Sequence, residues 1–183
     1  ELTNYYGDPD GTENDSGYYV VSQLDAELNE TLYRYDLDQR ITTITGPDTG
    51  SGPHDTLHYY DDQYRFIKEE DPLGNVTEFH FDENGNMDWV KDKNGHTTSY
   101  TYDDRGNILS KTGPPPSSVE TRIEYNSFND PIQKIEDANG MAITWIYEYD
   151  DAGNLEKEID PEQNENVYTY NEYGQMKTVT DAN

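Results

Sequence analysis

The feature that most constrains the fold is a repeat. An aromatic residue followed by Asp or Asn recurs at intervals of 21 to 25 residues. We call these residues the signature aromatics; they are Tyr35, Tyr60, Phe81, Tyr102, Tyr125, Tyr149 and Tyr170. A period of this length is typical of an array in which one supersecondary unit is stacked many times.

A turn residue follows each signature aromatic at a fixed distance. Four positions later the chain has a glycine in four copies, Gly85, Gly106, Gly153 and Gly174, and Gln39, Tyr64 or Asn129 in three others. Glycine and Asn tolerate positive φ, which tight hairpin turns require. We therefore expect a hairpin turn at each position and a positive φ at Gly106. A second turn follows in DPLGN (71–75), DKNGH (92–96) and DANGM (137–141), so one unit is strand, turn, strand, turn.

The strand before each first turn carries aromatic residues two positions apart, such as Tyr100 and Tyr102. Residues two apart share one face of a strand. If the units stack in register, the rings form ladders in which each cross-strand aromatic pair contributes roughly 0.2–1 kcal/mol. The mutual contact of these rings, rather than a large apolar interior, is the expected source of order.

The second strand carries apolar residues with a spacing of three, as at Met176 and Val179. This spacing does not fit one face of a regular strand. Either a β-bulge intervenes or both faces are partly covered, and the residues alone leave both interpretations open.

The fold class predicted by this pattern is all-β, with no helix. A long antiparallel β-meander of such units exceeds about ten strands, beyond which open sheets curl or split. We therefore expect the meander to coil into a curved shell- or tube-like wall. Residues 1–183 form a single array cut from a longer chain, with an irregular first unit at about 1–30 and regular repeats at about 31–183. Insertions at 45–55 and 112–120 replace the second turn only, and should lie along one edge.

The amino-acid composition restricts the classes of molecule that this chain can bind. Only 31% of residues are hydrophobic and the formal net charge is −27, a combination found in disordered chains, but the 17 Tyr favour strands. The negative charge argues against nucleic acid and anionic membranes as partners. Without Cys there are no disulfides, and no apolar run is long enough to span a membrane. A halophilic or extracellular setting and a simply acidic surface explain the charge equally well.

The motif Tyr-Asp-x-x-Gly-Asn, followed by Asp-x-x-Gly and Thr-x-x-Tyr-x-Tyr-Asp, resembles the YD repeat of Rhs proteins, wall-associated bacterial toxins, toxin-complex C components and teneurins. The resemblance covers about residues 28–183. It implies a β-sheet wound into a hollow spiral shell, which encloses a C-terminal toxin in bacterial members and takes part in adhesion outside the cell in teneurins. Bacterial shells end in a core motif with an Asp-Pro near a self-cleavage site. Asp71-Pro72 lacks the rest of that motif and is interpreted as a plain turn.

No catalytic constellation is predicted, and the four His do not have the spacing of a zinc site. Calcium is the best candidate ligand, because the loop at 7–17 offers the oxygen donors Asp8, Asp10 and Asp15, with Glu13 and Asn14 between them. The spacing differs from the EF-hand, and a solvated acidic loop is the alternative. Sequons at Asn14, Asn29 and Asn75 could carry glycans in an exported protein.

The sequence therefore favours a non-enzymatic structural segment of a large secreted or cell-surface YD-repeat protein. Its wall would form an extracellular fibre, tube or stalk; the alternative is a shell around a C-terminal toxin. A weaker alternative is a carbohydrate-binding adhesion module that uses the Tyr rings. The expected partners are further repeats of the same or identical chains through strand edges, with an enclosed toxin or a cell-surface ligand as other candidates.

Overall fold

The structure of the protein is a computed structural model that describes residues 2–8, 19–47, 50 and 54–181. Across these ranges every regular element is a β-strand, and none of them contains a helix that could cross a membrane. The strands are β1 Thr3–Gly7, β2 Tyr19–Leu24, β3 Glu30–Asp36, β4 Ile41–Thr45, β5 Asp55–Tyr60, β6 Phe66–Glu70, β7 Val76–Phe81, β8 Met87–Lys91, β9 Thr97–Tyr102, β10 Ile108–Thr112, β11 Glu120–Tyr125, β12 Pro131–Glu136, β13 Ile143–Tyr149, β14 Leu155–Ile159, β15 Glu165–Tyr170 and β16 Met176–Asp181.

The strands follow one another in a single sheet in chain order, from β1 to β16. Each strand pairs with its sequence neighbours, and the pairs are antiparallel, as in the hairpin of β15 and β16. This is a meander built only from local connections. It confirms the all-β antiparallel array that the repeat predicts.

The chain divides into two compact units, the first made of Glu1–His80 and Val90–His96 and the second of Phe81–Trp89 and Thr97–Asn183. The first unit contains the buried side chains of the described residues, Val21, Ser22 and Thr42. It also contains a cluster of rings around Phe66, with centroids 4.8 Å from His58, 5.8 Å from Tyr60 and 5.1 Å from Phe79.

In the second compact unit the side chains between strands are at most half-buried, since none of its described residues is fully buried. Four of its five signature aromatics, Tyr102, Tyr125, Tyr149 and Tyr170, nevertheless share one face. Tyr102 and Tyr100 lie on the same side of β9, and Lys111 pairs with both Tyr100 and Thr121, which places Tyr125 on that side too. The registers of the following strands carry this relation on to Tyr149 and Tyr170. The predicted common side is therefore present within this unit.

A β-bulge explains the spacing of three in the second strands. In the hairpin of β11 and β12, Tyr125 pairs with Pro131 and Glu124 with Gln133, so that Ile132 is the extra residue. The same shift places extra residues at Ile67, Leu109, Glu156 and Lys177 in four other hairpins. The hairpin of Tyr35 differs, since Asp36 pairs with Ile41 in a regular register around a four-residue turn.

The hairpin of β1 and β2 has the same strand pairing as the later repeat units, although its sequence lacks their motif. Tyr6 pairs with Val20 and Tyr5 with Ser22, so Val21 is the bulged residue. Residues 1–30 therefore contain a unit with the regular register. Its connection stands where the other repeat units have a first turn, a placement that its sequence did not suggest. The insertions between β4 and β5 and between β10 and β11 do replace second turns.

The turns at both edges of the sheet share one hydrogen-bond network. In the turn that begins at Asp103, Gly106 N–H donates to the Asp103 carbonyl at 3.0 Å, and Asp103 N–H donates to the Asn107 carbonyl at 2.9 Å. One carboxylate oxygen of Asp103 accepts from the backbone N–H groups of Arg105 and Asn107, both at 2.9 Å. Similar backbone and side-chain bonds recur in the turns that begin at Asp25, Asp61, Asp71, Asp82, Asp92, Asn126, Asp150, Asp160 and Asn171.

The fourth residue of these turns has positive φ. Gly106 has a φ of 87°, as predicted, and Gly85, Gly153 and Gly174 have φ of 87°, 83° and 72°. Asn129 takes the same place with a φ of 72°. A Cβ at Gly106 would meet only Asn86 Oδ1, at 3.6 Å, so backbone conformation rather than space restricts this position.

We predict that Gly106→Val lowers the free energy of unfolding by about 1–3 kcal/mol, the usual strain of a β-branched residue forced to positive φ. Gly106→Asn is the matched control and should cost much less, because Asn129 adopts this conformation naturally. Urea denaturation followed by circular dichroism measures both variants. Equal stability of the Val and Asn variants would contradict the turn assignment.

Candidate functional site at the repeat junctions

Neighbouring repeat units are joined by hydrogen bonds from the hydroxyl groups of the signature tyrosines. Tyr125 Oη donates a 3.0 Å hydrogen bond to the carbonyl oxygen of Ile108, the first residue of the second strand in the preceding unit. We call this contact a repeat junction. The same bond joins Tyr35 to Val20, Tyr102 to Met87, Tyr149 to Pro131 and Tyr170 to Leu155, at 2.7–2.9 Å.

The bulge makes the acceptor carbonyl available. The pairing of β10 with the next strand begins only at Ser110, opposite Arg122, beyond the bulged Leu109. Ile108 therefore lies outside that ladder. A backbone carbonyl away from water needs a hydrogen-bond partner, and the hydroxyl of Tyr125 supplies one. The bulge thus supplies the acceptor and the Tyr supplies the donor, and a Phe in place of the Tyr could not form this hydrogen bond.

Partial burial raises the pKa of four junction tyrosines, Tyr35, Tyr102, Tyr125 and Tyr149. Desolvation is the main cause for Tyr125, and the nearby carboxylate of Asp103 adds to it. The pKa of Tyr149 is raised by desolvation first and then by Asp130 and Tyr147. Because only the neutral phenol can donate its hydrogen, the raised pKa keeps the junction bond intact through a wide pH range.

Side chains also join successive first turns along the edge of the sheet. Asn107 Nδ2 donates to Asn129 Oδ1 at 3.0 Å, and the Arg105 guanidinium donates to the carbonyl oxygens of Ser127 and Asn126 at 2.9 and 3.2 Å. These contacts reinforce the junction at Tyr125, because they connect the two turns that flank it.

The turn carboxylates are stabilised in their charged form. The pKa of Asp103 is lowered, first because the Asn107 side-chain amide donates to it and then because the Asn107 backbone N–H does. The pKa of Asp25, Asp71 and Asp150 is lowered mainly by the same two hydrogen bonds, which the Asn four residues later donates. The acidic residues at these positions therefore act as structural hydrogen-bond acceptors.

The structure places the predicted structural residues in two groups. Five of the seven signature aromatics donate junction bonds, while Tyr60 packs against Phe66 and Phe81 ends β7 without a hydroxyl to donate. The described ring contacts around Phe66 in the first compact unit involve a second-strand residue, Phe66 itself, and therefore differ from the predicted ladder of first-strand rings. The contact that recurs between units is a hydroxyl on a carbonyl, which pattern reasoning did not anticipate.

The predicted ligand and glycan positions are only partly described. Asp8 is exposed, whereas Asp10, Asp15 and Asn14 lie outside the described residues. Among the residues that the structure describes, no group of three acidic or His side chains could hold a metal ion. Asn29 and Asn75 are exposed at turns, but their Nδ2 atoms donate to Asp25 and Asp71 at 2.8 and 2.7 Å, so a glycan there would replace a turn hydrogen bond.

Two open clefts lie beside the junctions, one in each unit. The first has a volume of about 330 Å³ and is lined by aromatic rings, including Tyr19, Tyr35 and Tyr60, with the exposed Tyr64 at its border. The second has a volume of about 580 Å³ and lies between the turns that begin at Asn126 and Asp150, where Phe128 is exposed.

One member of the junction series was missed in the sequence. Tyr6 occupies the signature position of the first hairpin, since it pairs with Val20 as Tyr125 pairs with Pro131. The sequence carries one indication of this: Asp8 lies two residues after Tyr6, whereas the other signature aromatics are followed directly by Asp or Asn. The long connection after Asp8 interrupts the turn spacing of the other repeat units.

A bulged hairpin with an Asx turn and a cross-unit Tyr hydroxyl, repeated along a meander, defines a YD-repeat sheet. Residues 73–183, more than half of the chain, match the family described as Teneurin YD-shell, and the chain belongs to this family. A comparison with curated proteins finds no significant match.

Solved structures share the fold at low sequence identity. The Photorhabdus luminescens Tc holotoxin pore with the TccC3-D651A mutation aligns with 87% of this chain at 17% identity and a TM-score of 0.65. The TcdB2-TccC3-Cdc42 crystal structure aligns with 90% at 17% identity and a TM-score of 0.66, and TcdB2-TccC3 with 87% at 18% and 0.64. The chain spans only 9–10% of the length of those chains.

We predict that Tyr125→Phe lowers the free energy of unfolding by about 0.5–1.5 kcal/mol, the usual net value of one hydrogen bond. The ring and its packing remain, so the loss reports on the hydroxyl alone. Tyr173→Phe, in an exposed turn, is the matched control and should change little. Urea denaturation measures both, and equal effects would argue against a role for the junction bond.

Stability should fall at both extremes of pH. The turn carboxylates have lowered pKa in the fold, so their contribution is complete above the unfolded value of about 4 and is lost as the pH falls through the folded values. The junction residues Tyr35, Tyr102, Tyr125 and Tyr149 have raised pKa in the fold, so their contribution is complete below the unfolded value of about 10 and is lost as the pH rises through the folded values. Melting temperature against pH should show a plateau between the two limbs.

A triple variant tests whether the turn carboxylates, rather than the overall charge, cause the fall in melting temperature at acid pH. Asn126 and Asn171 begin turns with the same network, so Asp82→Asn, Asp103→Asn and Asp150→Asn together should keep the turns. The loss of stability at acid pH should become smaller, although other turn carboxylates with lowered pKa remain, such as Asp25 and Asp71. The alkaline limb should not move. An unchanged acid limb would show that these three carboxylates do not control acid stability.

Proposed function

We propose that this chain is a non-enzymatic structural segment that builds the β-sheet wall of a secreted or cell-surface YD-shell protein. The observation that carries the proposal is the repeat junction, since the same hydroxyl-to-carbonyl bond joins successive units at five places. A chain whose recurring residues are used to join one hairpin to the next is suited to extending a sheet. Family membership supports the same role.

A wall can enclose a cargo or form a fibre. Enclosure of a C-terminal toxin is supported by the likeness in fold to TccC3-containing Tc structures. A fibre, tube or stalk is supported by the sequential antiparallel order of the described strands, since a meander of this kind is extended one hairpin at a time. Both uses need the same junctions, so the choice depends on whether the wall surrounds a cargo.

Carbohydrate binding is the weaker candidate. The observation that favours it is the cleft lined by Tyr19, Tyr35, Tyr60 and Tyr64, because aromatic rings can stack on sugar rings. Tyr35 also donates a junction bond, however, so at least part of this aromatic surface already has a structural role.

Negative-stain microscopy of the purified chain, over a range of concentrations at 0.5 M salt, tests the wall function. We expect thread-like or curved sheet-like particles if the chain forms a wall. Threads whose length increases with concentration would favour the fibre, and hollow particles of constant size would favour enclosure. Solid globular particles at every concentration would contradict the wall function in either form.

A further inference from the structure

A gap separates each first turn from the first turn of the next repeat unit, and in one gap an arginine of the chain fills the space. Between the turns that begin at Asp103 and Asn126, the Arg105 guanidinium donates to the carbonyl oxygens of Asn126 and Ser127 at 3.2 and 2.9 Å. Arg105 is the third residue of its turn, and its acceptors belong to the first two residues of the following turn. This gap is therefore a guanidinium site that the chain occupies itself.

The next gap lacks such a cation. Phe128 takes the position of Arg105, because its N–H donates to Asn126 Oδ1 as the N–H of Arg105 donates to Asp103 Oδ1. Phe128 is 80% exposed, and its ring has no hydrogen-bond donor. An exposed aromatic ring thus stands where the preceding turn has a guanidinium.

The carbonyl acceptors are nevertheless present in this gap. They belong to Asp150 and Asp151, the first two residues of the following turn. The Asp150 carbonyl accepts the N–H of Gly153 at 2.9 Å, and a carbonyl oxygen has a second lone pair. The corresponding carbonyl of Asn126 accepts both a turn N–H and a guanidinium, so the two bonds are compatible.

This gap is also more open than its neighbour on the other side of the Asp103 turn. There Asn86 Oδ1, from the last residue of one turn, lies 3.6 Å from the place of a Cβ on Gly106 in the next turn. Here Asp130 is the last residue of the turn, and no neighbouring atom of the described chain lies within 4 Å of the matching place on Gly153. The result is the cleft of about 580 Å³ between the two turns.

The charge and shape of the cleft define its ligand. The carboxylates of Asp130, Asp150 and Asp151 line it, and the described residues around it include no Lys, Arg or His. A cation is therefore the favoured ligand. A guanidinium stacks on an aromatic face and presents a planar fork of five donors, whereas an ammonium is a compact point charge. The ring of Phe128 and the paired carbonyls fit the guanidinium better.

We propose that this cleft binds an arginine side chain of a basic protein partner. The guanidinium stacks on Phe128 and donates to the carbonyl oxygens of Asp150 and Asp151, and Arg105 is the internal example of the same contact. The strands that flank the cleft, β11 to β14, lie inside the sheet with a neighbour on each side. The site therefore depends on two turns in the middle of the array, and it goes beyond the wall function.

NMR titration of the isotope-labelled chain at low salt tests the site with two blocked tripeptides, acetyl-Gly-Arg-Gly-amide and its Lys counterpart. We expect saturable shifts of the backbone amide signals of Phe128, Asp151 and Ala152 with the Arg peptide. Binding of the Lys peptide should be several-fold weaker, because an ammonium lacks the fork that reaches two carbonyls. Equal binding of the two peptides, or saturable shifts only at other acidic turns, would overturn the proposal.

Substitutions at the third turn position test the role of Phe128. Phe128→Arg supplies the guanidinium from within the chain and should abolish binding of the Arg peptide. Tyr173→Arg is the matched control, because it adds the same charge at the same position of the turn that begins at Asn171 and leaves the cleft open. Phe128→Leu keeps an apolar side chain without an aromatic face and should weaken binding several-fold.

Unchanged binding in Phe128→Arg, or an equal loss in the two Arg variants, would show that the cleft is not the site. The circular dichroism spectrum of β-sheet should remain in every variant, since both positions are exposed in turns. Failure of the arginine site would therefore leave the wall function intact, whereas solid globular particles in microscopy would contradict the wall function alone.

Discussion

The hydrogen bond from a tyrosine hydroxyl to the carbonyl beside a bulge is the interaction on which this sheet depends. Among the described residues the buried side chains are only those of Val21, Ser22 and Thr42, so an apolar interior contributes little to order. A meander without such an interior must gain its stability at every strand-to-strand contact. The bulge removes one carbonyl from each ladder between units, and the Tyr restores its partner, as Tyr125 does for Ile108. The bulge and its Tyr occur together at the acceptors Val20, Ile108, Pro131 and Leu155, whereas the bulge after Phe66 is followed by Phe81, which has no hydroxyl.

The acidity of the chain has a structural component. The first residue of nearly every tight turn is Asp, and its carboxylate accepts backbone and side-chain N–H groups, as Asp71 does from Leu73 and Asn75. These bonds lower the pKa of the carboxyl and favour the charged form at neutral pH. Part of the negative charge thus follows from turn geometry and needs no adaptation to salt.

Membership of the teneurin YD-shell family and the likeness to TccC3-containing structures lead to the same physical picture. The chain spans about a tenth of the length of the TcdB2-TccC3-Cdc42 chain that it matches. In repeat arrays stability is approximately a sum of terms within units and terms between nearest neighbours. The junction bond belongs to the second kind of term. Its loss at one place should weaken the coupling of two units without altering the hairpins themselves.

The sequence by itself determined the strand-and-turn order, because positive φ at Gly106 and the alternation at Tyr100 and Tyr102 are local properties that residue types enforce. It also revealed that one face is aromatic, since side chains two apart must share a side. Only the tertiary structure decided that Tyr125 binds the Ile108 carbonyl, that Leu109 is bulged, and that Tyr6 begins the series. Those facts depend on the register between strands, which is set by contacts many residues apart and leaves no fixed spacing in the chain.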